Sequence, residues 1–275
     1  MMAVGERRFE GRAVIVTGAG KDIGRFTAQR FAAEGADVML IGRRLEPLEE
    51  TQGLIEADGG KAWPFVADVT HADQVQAAVD AAVARGGRID VVINNAGNRD
   101  RTPFLEVEEE NWDDVLATNL KAPFLLSQRA ARVMAASGGG VILHTASIDA
   151  TGGDGPYASY SASKAALLGL NRTMALELAQ YGIRVNCVSP GYVQSSNLAL
   201  AMTPEQVSYL EKSFARVPMN RLVRREEVAA AFAFLASDDA AGITGIELKV
   251  DCGMTANMYI LETLPDGEST VAGSR

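Results

Sequence analysis

The chain has 275 residues, a net charge of −9 and a pI near 4.9. That balance weakens attraction to polyphosphate backbones and argues against a nucleic-acid partner. Hydrophobic residues at 47% and charged residues at 22% leave ample material for a core. Only two cysteines occur, Cys187 and Cys252, with no CxxC and no histidine cluster, which argues against a disulfide framework and against a bound metal. The opening MMAVGERRFEGR is broken by charges and no uncharged run reaches membrane-spanning length, so a cytoplasmic protein with no membrane partner is expected.

In chain order, short β-branched runs alternate with longer amphipathic stretches. Strands are predicted at Ala13–Thr17, Asp37–Gly42, Ala62–Ala67, Ile89–Asn94, Gly140–Ala146, Ile183–Ser189 and Ile246–Val250. Most are nearly continuous in apolar character, as strands covered on both faces require. Helices are predicted at Arg25–Glu34, Leu45–Ala57, Ala72–Arg85, Asn111–Ala136, Tyr157–Tyr181 and Glu226–Ala236. Gly35, Gly59, Gly86, Gly138 and Gly182 are placed to end them with left-handed caps. The alternation predicts an α/β fold, a doubly wound parallel sheet of about seven strands with helices on both faces, Rossmann-like. No composition break divides the chain, so residues 1–275 are read as a single dinucleotide-binding catalytic domain. A segment near 195–225 reads as a lid, and a polar tail follows about residue 262.

The first strand runs into TGAGKDIG at Thr17–Gly24. A glycine-rich turn between strand and helix puts backbone N–H groups and the positive end of the helix dipole where a pyrophosphate binds. Gly18 suits the tight turn, Gly20 continues it, and Gly24 lets the helix pack close to the sheet. The spacing is GxGxxxG, because Ile23 holds the last glycine position of the usual dinucleotide fingerprint; alone this is a weak signal. The second strand ends in IGRR, placing Arg43 and Arg44 where an NAD-binding fold puts an acid for the ribose 2′-hydroxyl. Arginine there pairs instead with a 2′-phosphate, and Lys21 adds positive charge on the same side, so NADP(H) is favoured over NAD(H).

YSASK at Tyr160–Lys164 puts a phenol and an ammonium at i and i+4, on one helix face. A nearby cation favours the phenolate and pulls the tyrosine down from its ordinary value of ~10, the tuning that general acid–base chemistry needs. Ser147, closing the fifth strand before TGGDG, is placed to meet that tyrosine. His144 reads as a strand residue.

Taken together, TGAGKDIG, Asp68–Val69, NNAG at Asn94–Gly97, Asn119 within TNL, Ser147, YSASK and PGYVQS at Pro190–Ser195 resemble the motifs of the short-chain dehydrogenase/reductase family, in order, over about Phe9 to Gly253. The resemblance implies Tyr160 as proton donor or acceptor and Ser147 as the partner of the reacting oxygen. It implies that Lys164 holds the nicotinamide ribose and lowers the tyrosine's pKa, and that Asn119 supports a water-linked proton relay. It implies a cofactor held by Gly18, Gly20, Lys21, Asp22 and Ile23 in the turn. Asp68 and Val69 would bracket the adenine, and Asn95, Ala96 and Gly97 would line the adenosine ribose. Pro190, Gly191, Val193 and Ser195 would meet the nicotinamide amide. In NADP-dependent members, basic residues at the positions of Lys21 and Arg43 grip the 2′-phosphate. A homo-oligomer is implied, a tetramer before a dimer.

Three departures stand out. Asp22 replaces the middle glycine, Ser195 stands where threonine is common, and Cys252 interrupts an Asp-Gly-Gly, the last read as structural. A carboxylate ~5 Å from one pyrophosphate charge costs roughly 3 kcal/mol at an effective dielectric of ~20. The expectation is therefore that Asp22 caps its own helix, or is neutralised by Lys21 and Arg25. The activity expected is hydride transfer between NADP(H) and a carbonyl or secondary alcohol, the cofactor carrying the hydride. The alternatives are a lyase or epimerase using bound cofactor without net turnover, and a catalytically silent NADP-binding scaffold. The substrate pocket is expected from Asn98–Thr102, Asp149–Pro156 and Tyr192–Val217, with Leu198, Leu200, Met202, Tyr209, Leu210 and Phe214 on the lid.

Overall fold

A computed structural model describes residues 7–196, 203–212 and 217–256, with Glu211 and Lys212 described by backbone alone. Seven strands form one sheet: β1 (Ala13–Thr17), β2 (Asp37–Gly42), β3 (Lys61–Val66), β4 (Val91–Asn94), β5 (Gly140–Thr145), β6 (Ile183–Pro190) and β7 (Glu247–Val250). Their order is β3-β2-β1-β4-β5-β6-β7, and each neighbouring pair is parallel. The helices are α1 (Asp22–Ala33), α2 (Leu45–Ala57), α3 (Ala72–Gly86), α4 (Glu109–Leu116), α5 (Ala122–Ala136), α6 (Ala158–Leu178), α7 (Pro204–Lys212) and α8 (Arg225–Ala236).

Successive strand residues point to opposite faces, so the continuous apolar runs feed two cores. Val14, Val16, Val38, Leu40 and Ile93 pack with Phe31 of α1 and Phe232 of α8. Ile15, Met39, Ile41 and Val92 pack with Val79 of α3 and with Leu126 and Met134 of α5. Val14 is in register with both Val38 of β2 and Val91 of β4. The chain winds one way from β1 to β3 and the other from β4 to β7, which opens a crevice at the carboxyl ends of β1 and β4.

The sequence reading is corrected in two places here. The helix predicted at Asn111–Ala136 is three pieces, α4 and α5 joined by a π-helical turn, Ala117–Lys121. The extra residue of such a turn re-aims side chains, and this one carries Asn119. The left-handed cap of α3 is Gly87 at φ 70°, while the predicted Gly86 is still helical. Of the predicted lid, residues 195–196, 203–212 and 217–225 are described; Leu198, Leu200, Met202 and Phe214 lie outside the described residues, as does the tail after 262.

Candidate active site

The glycine-rich turn leaves β1 at Gly18, whose φ of 65° suits a residue without a Cβ. A Cβ on Gly24 would sit 2.1 Å from the Gly18 carbonyl oxygen and 2.7 Å from Asn95 Nδ2. The close approach that needs this glycine is therefore to the turn itself and the end of β4, more than to the sheet. A Cβ on Gly20 would lie 2.8 Å from Pro47 of α2. The turn is tied across the sheet: Thr17 Oγ1 accepts from Asn95 N and Ala96 N, both at 2.9 Å, and Asn95 Nδ2 donates to Thr17 O at 3.0 Å. Thr145 Oγ1 donates to Asn95 Oδ1 at 3.2 Å. Asn95 thus joins the ends of β1, β4 and β5 with its side chain, a role that its expected backbone contact to a ribose did not suggest.

Lys21 is the N-cap of α1, in extended backbone and with no side-chain bond to the first turn. That leaves the helix N-terminus to an anion, so the turn fits a dinucleotide pyrophosphate. Asp22 is the first helical residue, not the cap, and has a φ of 46°; aspartate is among the few side chains that tolerate this region. Its carboxylate bonds outside the helix. Oδ1 accepts from Ser196 N at 2.8 Å, Oδ2 accepts from Ser196 Oγ at 2.7 Å, and Arg225 Nη1 lies 3.5 Å from Oδ1. The expected neutralisation by Arg25 is corrected too, because Arg25 pairs with Glu50 and donates to Gly20 O and Thr51 Oγ1. Ile23 is half-buried against the first core.

Arg43 and Arg44 are exposed after β2, and Lys21 is exposed at the turn. Asp68, at the end of β3, feels Arg43; burial raises its carboxyl, but hydrogen bonds from Thr70 N and Oγ1 outweigh this and hold it below its usual value. Val69 packs against the second core.

Around the crevice, β5 delivers Ser147, the π-helical turn delivers Asn119, and α6 delivers Tyr160 and Lys164. Asn119, Ser147 and Lys164 are buried and Tyr160 is half-buried. Lys164 Nζ donates to Thr145 O at 2.6 Å and lies 5.5 Å from the centre of the Tyr160 ring. Asn119 Nδ2 donates to Asn98 O at 2.8 Å and to Ser163 Oγ at 3.0 Å, while Asn119 Oδ1 accepts from Asn98 N at 2.9 Å. A Cβ on Gly97 would come within 3.2 Å of Asn119 Oδ1 and 3.8 Å of Lys164 Nζ, so Gly97 joins this cluster. Ser147 Oγ accepts from Asp149 N at 3.1 Å and hydrogen-bonds with Tyr160.

The expected lowering of the tyrosine is corrected. Burial pushes Tyr160 up to about 12, against the hydrogen bond with Ser147, and burial brings Lys164 down to about 8. Burial acts on both groups more strongly than they act on each other. His144 is a buried strand residue as expected, in contact with Asn94 Nδ2 at 3.2 Å, and burial lowers it to about 3. Cys252 has a φ of 53° and packs beside Leu210, Val217 and Leu222.

Pro190 ends β6, and Gly191 N donates to Val250 O at 2.9 Å. Val193 bridges Val223, with Gln194 N donating to Val223 O at 2.9 Å. This carries Ser195 and Ser196 toward the glycine-rich turn. The residues missed in the sequence were Thr17, Ser196 and Arg225. Thr17 is bonded to Asn95, 78 positions away, and Ser196 to Asp22, 174 positions away, with Arg225 beside the same carboxylate, and no local pattern marks such pairs.

An open α/β sheet with a glycine-rich first turn and a Ser-Tyr-Lys cluster at the strand ends defines a nicotinamide-dependent oxidoreductase architecture. A family model for enoyl-(acyl carrier protein) reductase matches residues 18–255. The chain is 41% identical over 251 residues to an uncharacterized oxidoreductase of Thermotoga maritima, covering 90% of this chain and 99% of that one. It is 36% identical over 247 residues to a 3-oxoacyl-[acyl-carrier-protein] reductase of the same organism, covering 90% and 99%. A provisionally assigned NAD(P)-dependent gluconate 5-dehydrogenase from Beutenbergia cavernae, solved with NADP at low occupancy, superposes with a TM-score of 0.84 at 36% identity, covering 92% and 100%. The chain belongs to the short-chain dehydrogenase/reductase family.

Proposed function

We propose that the protein is an NADP(H)-dependent oxidoreductase that moves a hydride between the nicotinamide and a carbonyl or secondary alcohol, with Tyr160 as general acid/base. The observation that carries this reading is the convergence of Asn119, Ser147, Tyr160 and Lys164 at the strand ends, with Lys164 anchored on Thr145 O beneath the Tyr160 ring.

The bound cofactor supplies the hydride. This chain's residues do the rest. Ser147 orients the reacting oxygen. Tyr160, held protonated at neutral pH by burial, which pushes it up to about 12, gives its proton to the oxygen as negative charge develops there in the reductive direction. Lys164 fixes the cofactor ribose, and Asn119, locked to Asn98 and Ser163, keeps the π-helical turn in place for proton resupply. Lys21, Arg43 and Arg44 are exposed cations, Arg43 near enough to Asp68 to lower its carboxyl, and they suit a 2′-phosphate. The NADP held by the Beutenbergia relative is consistent with this. The relatives' names span an acyl thioester and a sugar acid, so the substrate class is left to assay.

Absorbance of NADPH with a panel of ketones, aldehydes, 3-oxoacyl thioesters and polyols, on wild type and Tyr160→Phe, tests the proposal. Stoichiometric NADPH consumption that falls about 10²- to 10⁴-fold in Tyr160→Phe is expected. Conversion without net cofactor change would make the protein a lyase or epimerase, and binding without turnover a scaffold. Arg43→Ala should raise KM for NADPH about tenfold or more, the worth of a charged hydrogen bond, and leave KM for NADH nearly unchanged. An equal effect on both would remove Arg43 from the 2′-phosphate site.

We also read residues 1–275 as one cytoplasmic catalytic domain that assembles as a homo-oligomer, a tetramer before a dimer. An open groove of about 620 Å³ lined by Leu116, Leu120, Phe124 and Leu170 supports this, as do the exposed Phe104, Leu105 and Leu176. Light scattering of the purified protein gives the copy number.

A further inference from the structure

We propose that Asp22 is a positioning residue that fastens the loop leaving β6 to the glycine-rich turn, so that the two ends of a bound dinucleotide are held as one unit. The inference rests on the reading above that the turn receives the cofactor.

The geometry is specific. Asp22 stands at a φ of 46°, where glycine would sit without strain, so the side chain is retained against a backbone cost. Both carboxylate oxygens are used on one residue 174 positions away: Ser196 N donates to Oδ1 at 2.8 Å and Ser196 Oγ to Oδ2 at 2.7 Å. Arg225, at the start of α8, lies 3.5 Å from the same carboxylate and stacks 4.6 Å from the Phe26 ring of α1. Its charge offsets that of Asp22 beside a phosphate site. On the other side the loop is pinned through Val193 and Gln194 to Val223, two residues before Arg225. The backbone of Ser195, whose hydroxyl is the candidate partner of the nicotinamide amide, is therefore held between two anchors. The substitution that looked like damage to a phosphate loop instead supplies a clasp across the cleft.

Asp22→Gly tests this, because glycine accepts the backbone and only the carboxylate is lost. Hydrogen–deuterium exchange should show the Ser196 amide losing protection in Asp22→Gly and retaining much of it in Asp22→Asn, whose amide oxygen still accepts. Stopped-flow displacement from the holoenzyme should show NADPH leaving about tenfold faster in Asp22→Gly. Ser196→Ala should add nothing to Asp22→Gly, since both act on one contact. Unchanged exchange together with unchanged NADPH release, or effects of the two substitutions that simply add, would overturn the role while leaving the cofactor reading intact. A wild type that binds neither NADPH nor NADH would overturn the cofactor reading and this role with it.

Discussion

Tyr160 and Lys164 lie one turn apart on α6, and burial moves their protonation in opposite senses, the phenol up to about 12 and the ammonium down to about 8. For stability the sign for Lys164 is definite. Between pH 8 and 10.5 the unfolded lysine still binds its proton and the folded one has released it, so stability rises with pH across that window. Urea midpoints from pH 7 to 10 should therefore climb more steeply in wild type than in Lys164→Met, which lacks the titrating group; parallel curves would place Lys164 in contact with water. The spacing of the pair was legible in YSASK because i and i+4 share a helix face. Its electrostatics were not, because burial depends on what β5, β6 and the π-helical turn pile around it.

At the scale of elements, α8 is tied to the loop before it by Glu227, which accepts from Arg221 Nη1 and Nη2 and from Arg224 N and Nη2. Burial alone would raise its carboxyl, but these hydrogen bonds outweigh it and hold Glu227 at about 2. A depressed carboxyl stabilises above its unfolded pKa and loses that contribution as pH falls from 4.5 to about 2. Glu227→Gln should lower the thermal midpoint at pH 7 and flatten its decline between pH 4.5 and 3; an unchanged decline would show that other carboxylates govern it. Most element boundaries were legible within a few residues, since β1, β2 and α2 fall where continuous apolar runs or helical spacing place them. The break between α4 and α5 was not, because Asn119 stabilises the π-helical turn through Asn98 and Ser163, whose side-chain and backbone groups arrive from other parts of the fold.

For the whole molecule, the one sheet couples both cores, because each strand places alternate residues in each. Phe232 is fully buried where α8 meets α1, and Phe232→Ala should cost about 3–5 kcal/mol of stability. For the single domain proposed above, fluorescence and circular dichroism should report that loss at one shared denaturant midpoint. Separate midpoints would divide the chain into two units.

The sequence by itself determined the fold class, the succession of the chemistry-bearing motifs along the chain and the family, because apolar periodicity and short motifs are local properties of the chain. It also placed Asn119, Ser147, Tyr160 and Lys164 as candidates by that resemblance. Only the tertiary structure showed what Asp22 contacts and which way burial shifts Tyr160 and Lys164. Both depend on groups brought together from distant positions, Ser196 and Arg225 in one case and the strands and helices that bury the pair in the other.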